Sequence, residues 1–395
     1  MIQAGVGHST SLDLGTAARE ASSSALERLG RSKADLLLCF ATPEFSFHYR
    51  HLYQTLSEYT GTSEIVGCSA MAIITGEGEF EGSPGLAVMA LATDGFKVLP
   101  FLSEDGSTLA SRLAGALGPS EENPRDNHLL LLFTDVFNVQ APDLLEALHH
   151  ELGHIPTVGA AASGHPEDSR TVQWAGKREA NHGISGVLFS GPIAHSTTVS
   201  QGCEPIGEPY LITLSEGKVI MEIGNRTAYE MLQLALSIFP PEEEERVSKG
   251  VFAGLLIDEH KYPPSRGDYL IRSIERVDPY SGTITLVQEA HPGQTIQFHV
   301  RNPTTAREEL ITGVEQLGRE TSPYVPLFAL YFESVGRGAR LHRKPDHDVN
   351  IIKEGLGDIP LIGFLSNAEF APREGRNLAH AYSSVLTLVS RLGPA

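Results

Sequence analysis

The chain has 395 residues, 41% of them hydrophobic and 20% charged, with 49 acidic against 30 basic side chains and a net charge of −19. That length exceeds what one core ordinarily serves, so two domains are expected. The acidic excess repels polyanions and speaks against nucleic acid and anionic membrane surfaces as partners. No apolar stretch approaches the roughly 20 residues of a membrane helix, and Met1 is not followed by a basic and then an apolar segment. Cys39, Cys68 and Cys203 lie far apart without a CxxC pair, which suits a reducing compartment and offers neither disulfide nor thiolate metal cage. The expectation is a soluble cytoplasmic protein.

Taken in chain order, a segment 1–30 precedes the first short apolar run, Ala34 to Ala41, which reads as a strand covered on both faces. A helix follows over Tyr49 to Tyr59, with Leu52, Leu56 and Tyr59 on one face and Gly61 as its stop. An apolar-Gly turn of small residues, Ile65 to Ala70, and a closing run, Gly85 to Leu91, complete the unit. The same order returns with His128 to Phe133, a helix over Pro142 to Leu152 stopped by Gly153, the turn Thr157 to Ser163, and Gly183 to Phe189. It returns a third time with Leu327 to Phe332, Leu361 to Glu369 and Ser383 to Val389. Repetition at this scale implies duplicated supersecondary units of strand, helix, strand and strand.

Between the second and third copies, Tyr210 to Thr213 and Val219 to Ile223 flank the turn Ser215 to Lys218 as a hairpin. A helix over Thr227 to Ser237 leads to Pro240-Pro241 and the acidic run Glu242 to Glu245, a solvated stretch and the natural boundary. Beyond it come strands at Tyr269 to Val277, Gly282 to Val287 and Thr295 to Val300, then a helix over Thr304 to Leu317. The expected fold is α/β (mixed α+β), two domains of layered sheets with covering helices, divided as 1–30, 31–239 and 240–395.

Several motifs yield to plainer readings. His150-Glu151-Leu152-Gly153-His154 spells the HExxH zinc pattern, but Gly153 matches the helix-stopping Gly61 of the first repeat. His154 then falls beyond the helix, and no metal is expected there. Arg266-Gly267-Asp268 reads as a turn before a strand, and phosphate-binding glycine loops and GxSxG elbows are absent. The segment Val199 to Pro209, with two glycines and two prolines, specifies a fixed irregular backbone that either connects sheets or walls a pocket, with Gln201 and Cys203 as its polar positions. Arg337 stands just past the C-terminal end of a strand, where open α/β sheets bind ligands and a guanidinium can clamp a carboxylate. Asn367 and Glu369 occupy the small-residue turn of the third repeat; Glu369 offers a counter-charge to an amine or a partner to Arg337.

On these residues the chain resembles the FIST family of sensory proteins with paired N and C domains. The matching segments are Gly67-Cys68-Ser69 with Glu79-Phe80-Glu81, Gly159 to Ser163, Val199 to Pro209, Gly293 to Arg301, Gly336-Arg337-Gly338, and Gly363 to Glu369 followed by Leu378 to Tyr382. Ser334 departs from the pattern, standing where a cysteine often precedes the Arg-Gly pair. The resemblance implies a small-molecule input module, proposed for amino acids or related carboxylate metabolites, that signals through a separate protein such as a kinase or receptor. A subset of the family binds haem and senses nitric oxide, which makes haem the alternative ligand, with His380, His299 or His195 as its axial residue. The expected ligand site joins Arg337 as anchor, Asn367 and Glu369 as polar partners, and Ser163, Gln201 and Cys203 as the opposite wall. No catalytic residue is expected; a hydrolase built on Ser163 or Cys68 ranks last, since neither has a recognisable base beside it.

Overall fold

The computed structural model describes residues 2–46, 48–94, 96–118, 128–164, 169–240, 247, 250–261 and 263–391. The acidic run Glu242 to Glu245 lies outside them. The chain is mixed α/β and divides into two compact units: Met1–Val199 with Leu310–Ala395, and Ser200–Glu309. The boundary anticipated at 239/240 falls inside the second unit.

The first unit is built from the three repeats, and each is longer than its sequence signature. Repeat one runs β1 (Ile2–Ser9), helix Leu14–Leu29, β2 (Leu36–Ala41), helix Tyr49–Thr60, β3 (Ile65–Ser69), the hairpin β4 (Ile73–Thr75) and β5 (Gly78–Phe80), and β6 (Leu86–Thr93). The segment 1–30 thus supplies the leading strand and helix of the repeat. Repeat two runs β7 (Lys97–Ser103), helix Gly106–Leu117, β8 (His128–Thr134), helix Ala141–Leu152, β9 (Thr157–Ala161), the hairpin β10 (Gln173–Ala175) and β11 (Arg178–Ala180), and β12 (Ile184–Ser190). Repeat three opens with β13 (Ile193–Ser200) and is interrupted there by the second unit.

That insertion contains β14 (Cys203–Glu216), β15 (Val219–Ile223), β16 (Arg226–Thr227), helix Ala228–Leu236, β17 (Val251–Leu256), β18 (Tyr269–Asp278), β19 (Thr283–Leu286) and β20 (Thr295–Arg301). Its strands pair antiparallel in the order β14-β20-β17-β18-β19-β15, and β15 pairs back to β14, closing a barrel that leaves few free edges. The helix Ala228–Leu236 begins with a reciprocal cap between Thr227 and Glu230 and packs Met231, Leu232 and Leu236 with Ile220, Ala253 and Phe298.

Repeat three resumes with helix Pro303–Thr321, β21 (Val325–Ser334), a short helix Gly338–His342, helix His347–Leu356, β22 (Leu361–Ser366), the hairpin β23 (Ala368–Arg373) and β24 (Arg376–His380), and β25 (Ser384–Arg391).

Each repeat forms the same four-stranded core: β1-β6-β2-β3, β7-β12-β8-β9 and β13-β25-β21-β22. In each, the last two strands named are parallel because a helix crosses between them. The hairpins are exchanged in a ring. The repeat-one hairpin β4–β5 extends the sheet of repeat three, β10–β11 extends that of repeat one, and β23–β24 extends that of repeat two. One face of every sheet turns onto a shared core, where the equivalent residues Phe40, Phe133 and Phe332 meet at ring-centroid distances of 5.2, 5.8 and 6.3 Å. The other faces are covered by the paired helices of each repeat. This two-sided cover explains why β2, β8 and the middle of β21 are apolar without alternation.

Candidate functional site

At the C-terminal end of β21 and β22 the first unit buries an unusual number of charges. Glu333 and Ser334 end β21; the chain then turns, with the Arg337 amide donating to the Ser334 carbonyl at 2.7 Å and the Val335 amide to the Ser366 carbonyl at 2.8 Å. This turn points the Arg337 side chain inward, where it is completely buried. Its Nη2 lies 3.0 Å from Asp348 Oδ2 and its Nε 3.5 Å from Glu333 Oε1. Asp348 also accepts from the Tyr331 hydroxyl at 2.7 Å, while His347 Nδ1 and His342 Nε2 converge on its Oδ1 at 2.8 and 3.3 Å. The two imidazoles stack, 3.8 Å apart and 7° from parallel.

The exchanged hairpin adds two more carboxylates. Glu79 Oε1 accepts from the Asp348 and Val349 amides at 3.0 and 3.1 Å, at the N-terminus of helix His347–Leu356, where the helix dipole favours an acid. Glu81 and Glu333 do the same for the amides of Ala339 and Gly338, both at 2.8 Å. The alternation Glu79-Phe80-Glu81 places both acids on one face of the chain.

Next to this cluster, Glu369 is buried and held by Ser366 Oγ at 2.7 Å and by the Ser383 hydroxyl and amide at 2.6 and 3.3 Å. Burial pushes its carboxyl up to about 7, against the hydrogen bonds from Ser383 and Ser366 and the more distant Arg337 charge. Burial and the neighbouring Asp348 likewise raise Glu79 to about 7 and Glu333 well above the carboxylate range. Burial works against the Asp348 charge too, yet the Arg337 guanidinium and the bonds from His347 and Tyr331 hold it far below the usual range. Asp348 and Arg337 are therefore the ionised pair, and the glutamates around them share a proton-rich, low-dielectric setting.

Of the residues expected from sequence, Arg337, Asn367, Glu369 and Ser163 lie on interlocked segments. Ser163 Oγ donates to the Leu365 carbonyl and accepts from the Met71 amide at 2.7 Å; Asn367 Nδ2 donates to the Ala162 carbonyl at 3.0 Å. Arg337 faces carboxylates of its own chain, and Asn367 is exposed. Gln201 and Cys203 belong to the inserted unit: Gln201 donates to the Tyr269 carbonyl, and Cys203 lies opposite Arg301 on β20. His195, His299 and His380 lie on three different strands, β13, β20 and β24. Burial lowers His299 to about 4. Cys68 is buried and its thiol raised well above the ordinary value, which disfavours a thiolate nucleophile. Gly153 ends its helix with φ +75°, so His154 lies beyond it, as the repeat comparison anticipated.

Sequence reasoning missed Tyr331, Glu333, His342, His347 and Asp348, and gave Glu79 no role. The run His342-Arg343-Lys344-Pro345-Asp346-His347-Asp348 was visible as a His/Asp cluster, but nothing in one dimension shows that a hairpin some 270 residues away closes over it.

Models of the FIST N domain and the FIST C domain match residues 35–226 and 228–372. The chain is 32% identical over 387 residues to an uncharacterized protein of Mycobacterium tuberculosis (strain ATCC 25618 / H37Rv), covering 97% of this chain and 98% of that one. It is 31% identical, over the same shares, to one of Mycobacterium bovis (strain ATCC BAA-935 / AF2122/97). Among solved structures, cyanuric acid hydrolase from A. caulinodans aligns over 99% of both chains at 10% identity and a TM-score of 0.36. PurLQS from Thermotoga maritima aligns over 100% of this chain and 73% of that one, at 9% identity and a TM-score of 0.21; no function is transferred from either. Among the described residues no helix is long and apolar enough to cross a membrane. Matched along most of its length by both domain models, the chain belongs to the FIST family of sensory domains.

Proposed function

We propose that this protein is a cytoplasmic sensor of a small metabolite, an amino acid or related compound, and that the network around Arg337 and Glu333 receives it. The observation that carries this reading is the second carboxylate oxygen of Glu333, which is wholly buried and has no hydrogen-bond partner. A buried polar atom left unpaired costs about 1–3 kcal/mol, so a donor that satisfied it would be favoured. Four buried carboxyls (Glu79, Glu333, Asp348 and Glu369) stand with one buried guanidinium, already held by Asp348. The missing complement is a cation, and the α-ammonium of an amino acid is the natural one. A ligand carboxylate would have to displace Asp348 or Glu333 to reach Arg337.

Glu333, Arg337 and Glu369 are all closed to solvent, so entry requires a movement. A movement tied to binding is how a sensor passes a signal to a separate partner such as a kinase or receptor. The test is calorimetric titration of the full chain with a panel of amino acids and their deaminated carboxylates. An amine-bearing compound should bind and release a proton as Glu333 ionises, and Glu333→Gln should weaken it at least tenfold. Binding only by the deaminated acids, or unchanged binding to Glu333→Gln, would reject this assignment.

A further inference from the structure

We propose that His342, His347 and Asp348 form a binding site for a divalent transition-metal ion. Two imidazoles and a carboxylate are a donor set suited to zinc, cobalt or nickel. The three candidate ligand atoms lie within 4.8 Å of one another. A tetrahedral ion with bonds of 2.0–2.2 Å needs its donors about 3.4 Å apart, and Asp348 Oδ1 already lies 3.3 Å from His342 Nε2 and 2.8 Å from His347 Nδ1.

The surroundings are those of a prepared ligand. Asp348 Oδ2 is fixed by the Tyr331 hydroxyl and Arg337 Nη2, leaving Oδ1 directed at the histidines. Such outer contacts orient metal-binding carboxylates. Glu79 is anchored through Oε1 to the amides of Asp348 and Val349, while its Oε2 is buried with no hydrogen-bond partner. That second oxygen is an independent sign that the cluster lacks a cation. The stacked rings place their nitrogens in parallel planes, so one ring must turn about its χ2 to share an ion. His347, 15% exposed where His342 is 2%, is the ring with room to turn on the solvent side and the route of entry. The inference shares the excess of buried carboxyls with the amine reading but not the atom that carries it, Glu333 Oε2.

The test is equilibrium dialysis of the chelator-stripped full chain against Zn²⁺, with Co²⁺ spectra to report the ligand set. One ion per chain is expected, bound more tightly as pH rises because the metal displaces imidazole protons. His347→Ala should weaken binding at least tenfold with the far-UV spectrum unchanged; His150→Ala, at an exposed site, should leave it as it was. His347→Gln provides a second variant should the first alter the fold. Absence of stoichiometric binding overturns the proposal. So does an affinity untouched by His347→Ala and lost in His150→Ala, which would mean adventitious surface binding only.

Discussion

The guanidinium of Arg337 and the carboxylates of Asp348 and Glu333 exclude water from one another completely, so removing one leaves the others uncompensated. Arg337→Met should therefore cost about 3–5 kcal/mol in urea denaturation. The double variant with Asp348→Asn should cost less than the sum of the two, since the stranded charge is gone. The pH dependence follows from the two glutamates raised to about 7. A carboxyl whose folded pKa exceeds its unfolded value keeps its proton longer when folded, so stability falls as pH rises from about 4.5 to 7. Asp348, held low, acts oppositely and loses its contribution only in acid, below its unfolded value of about 3.8. Glu369→Gln should flatten thermal stability measured from pH 5 to 7.5, by at most about 1.4 kcal/mol per pH unit. A slope identical to the wild type would mean that Glu369 does not titrate there.

Among the elements, β3, β9 and β22 show what the repeat was recording. A Cβ at Gly67, Gly159 or Gly363 would lie 1.7, 2.0 or 1.5 Å from the carbonyl oxygen of Cys39, Leu132 or Tyr331 on the parallel neighbour. The three glycines are thus held by one close approach, made three times. Gly363→Ala should abolish soluble folding, whereas Gly115→Ala, in a helix with open space around it, should raise stability by about 0.5–1 kcal/mol. A second joint is pinned by Asn377, which accepts from the Thr157 amide at 3.0 Å and donates to the Ile155 carbonyl at 2.8 Å. Asn377→Ala should cost about 1–3 kcal/mol in the same assay. Apolar runs, helix stops and turn glycines were legible because local chemistry dictates them, and helix Tyr49–Thr60 or strand Thr295–Arg301 matches expectation within a residue. The leading strand of each repeat was missed, as was the leading helix of the first two; that of the third, Pro303–Thr321, was expected over Thr304 to Leu317. β7 and β13 are only partly buried and carry no solid apolar run, and β1 lies in the segment 1–30, ahead of the first apolar run. Arg337 and Glu369 were picked out through turn position and family likeness. Arg337 meets Asp348 from the start of another helix, and Glu79, which caps that helix, arrives from β5 only through the exchange of hairpins.

For the molecule as a whole, the two units make opposite demands. The barrel Ser200–Glu309 closes on itself and has its own core. Expressed alone, it should give a cooperative thermal transition by circular dichroism. No repeat of the first unit can do so, because each lends its hairpin to one neighbour and borrows from the other. A fragment of residues 1–94 should be unfolded by the same measure, and a well-ordered fragment would refute this interdependence.

The ring also has a direction in time. As the chain leaves the ribosome, β10–β11 and β23–β24 each meet a sheet already made, but β4–β5 must wait for β22, about 290 residues later. At 5–20 residues per second that is ~15–60 s. Through that interval Ile73, Ile74 and Phe80 have no sheet to join, and the acids of the network have no Arg337 to face. The nascent protein therefore carries one unpaired apolar hairpin until its last sheet forms, and that sheet also completes the buried charge network around Asp348.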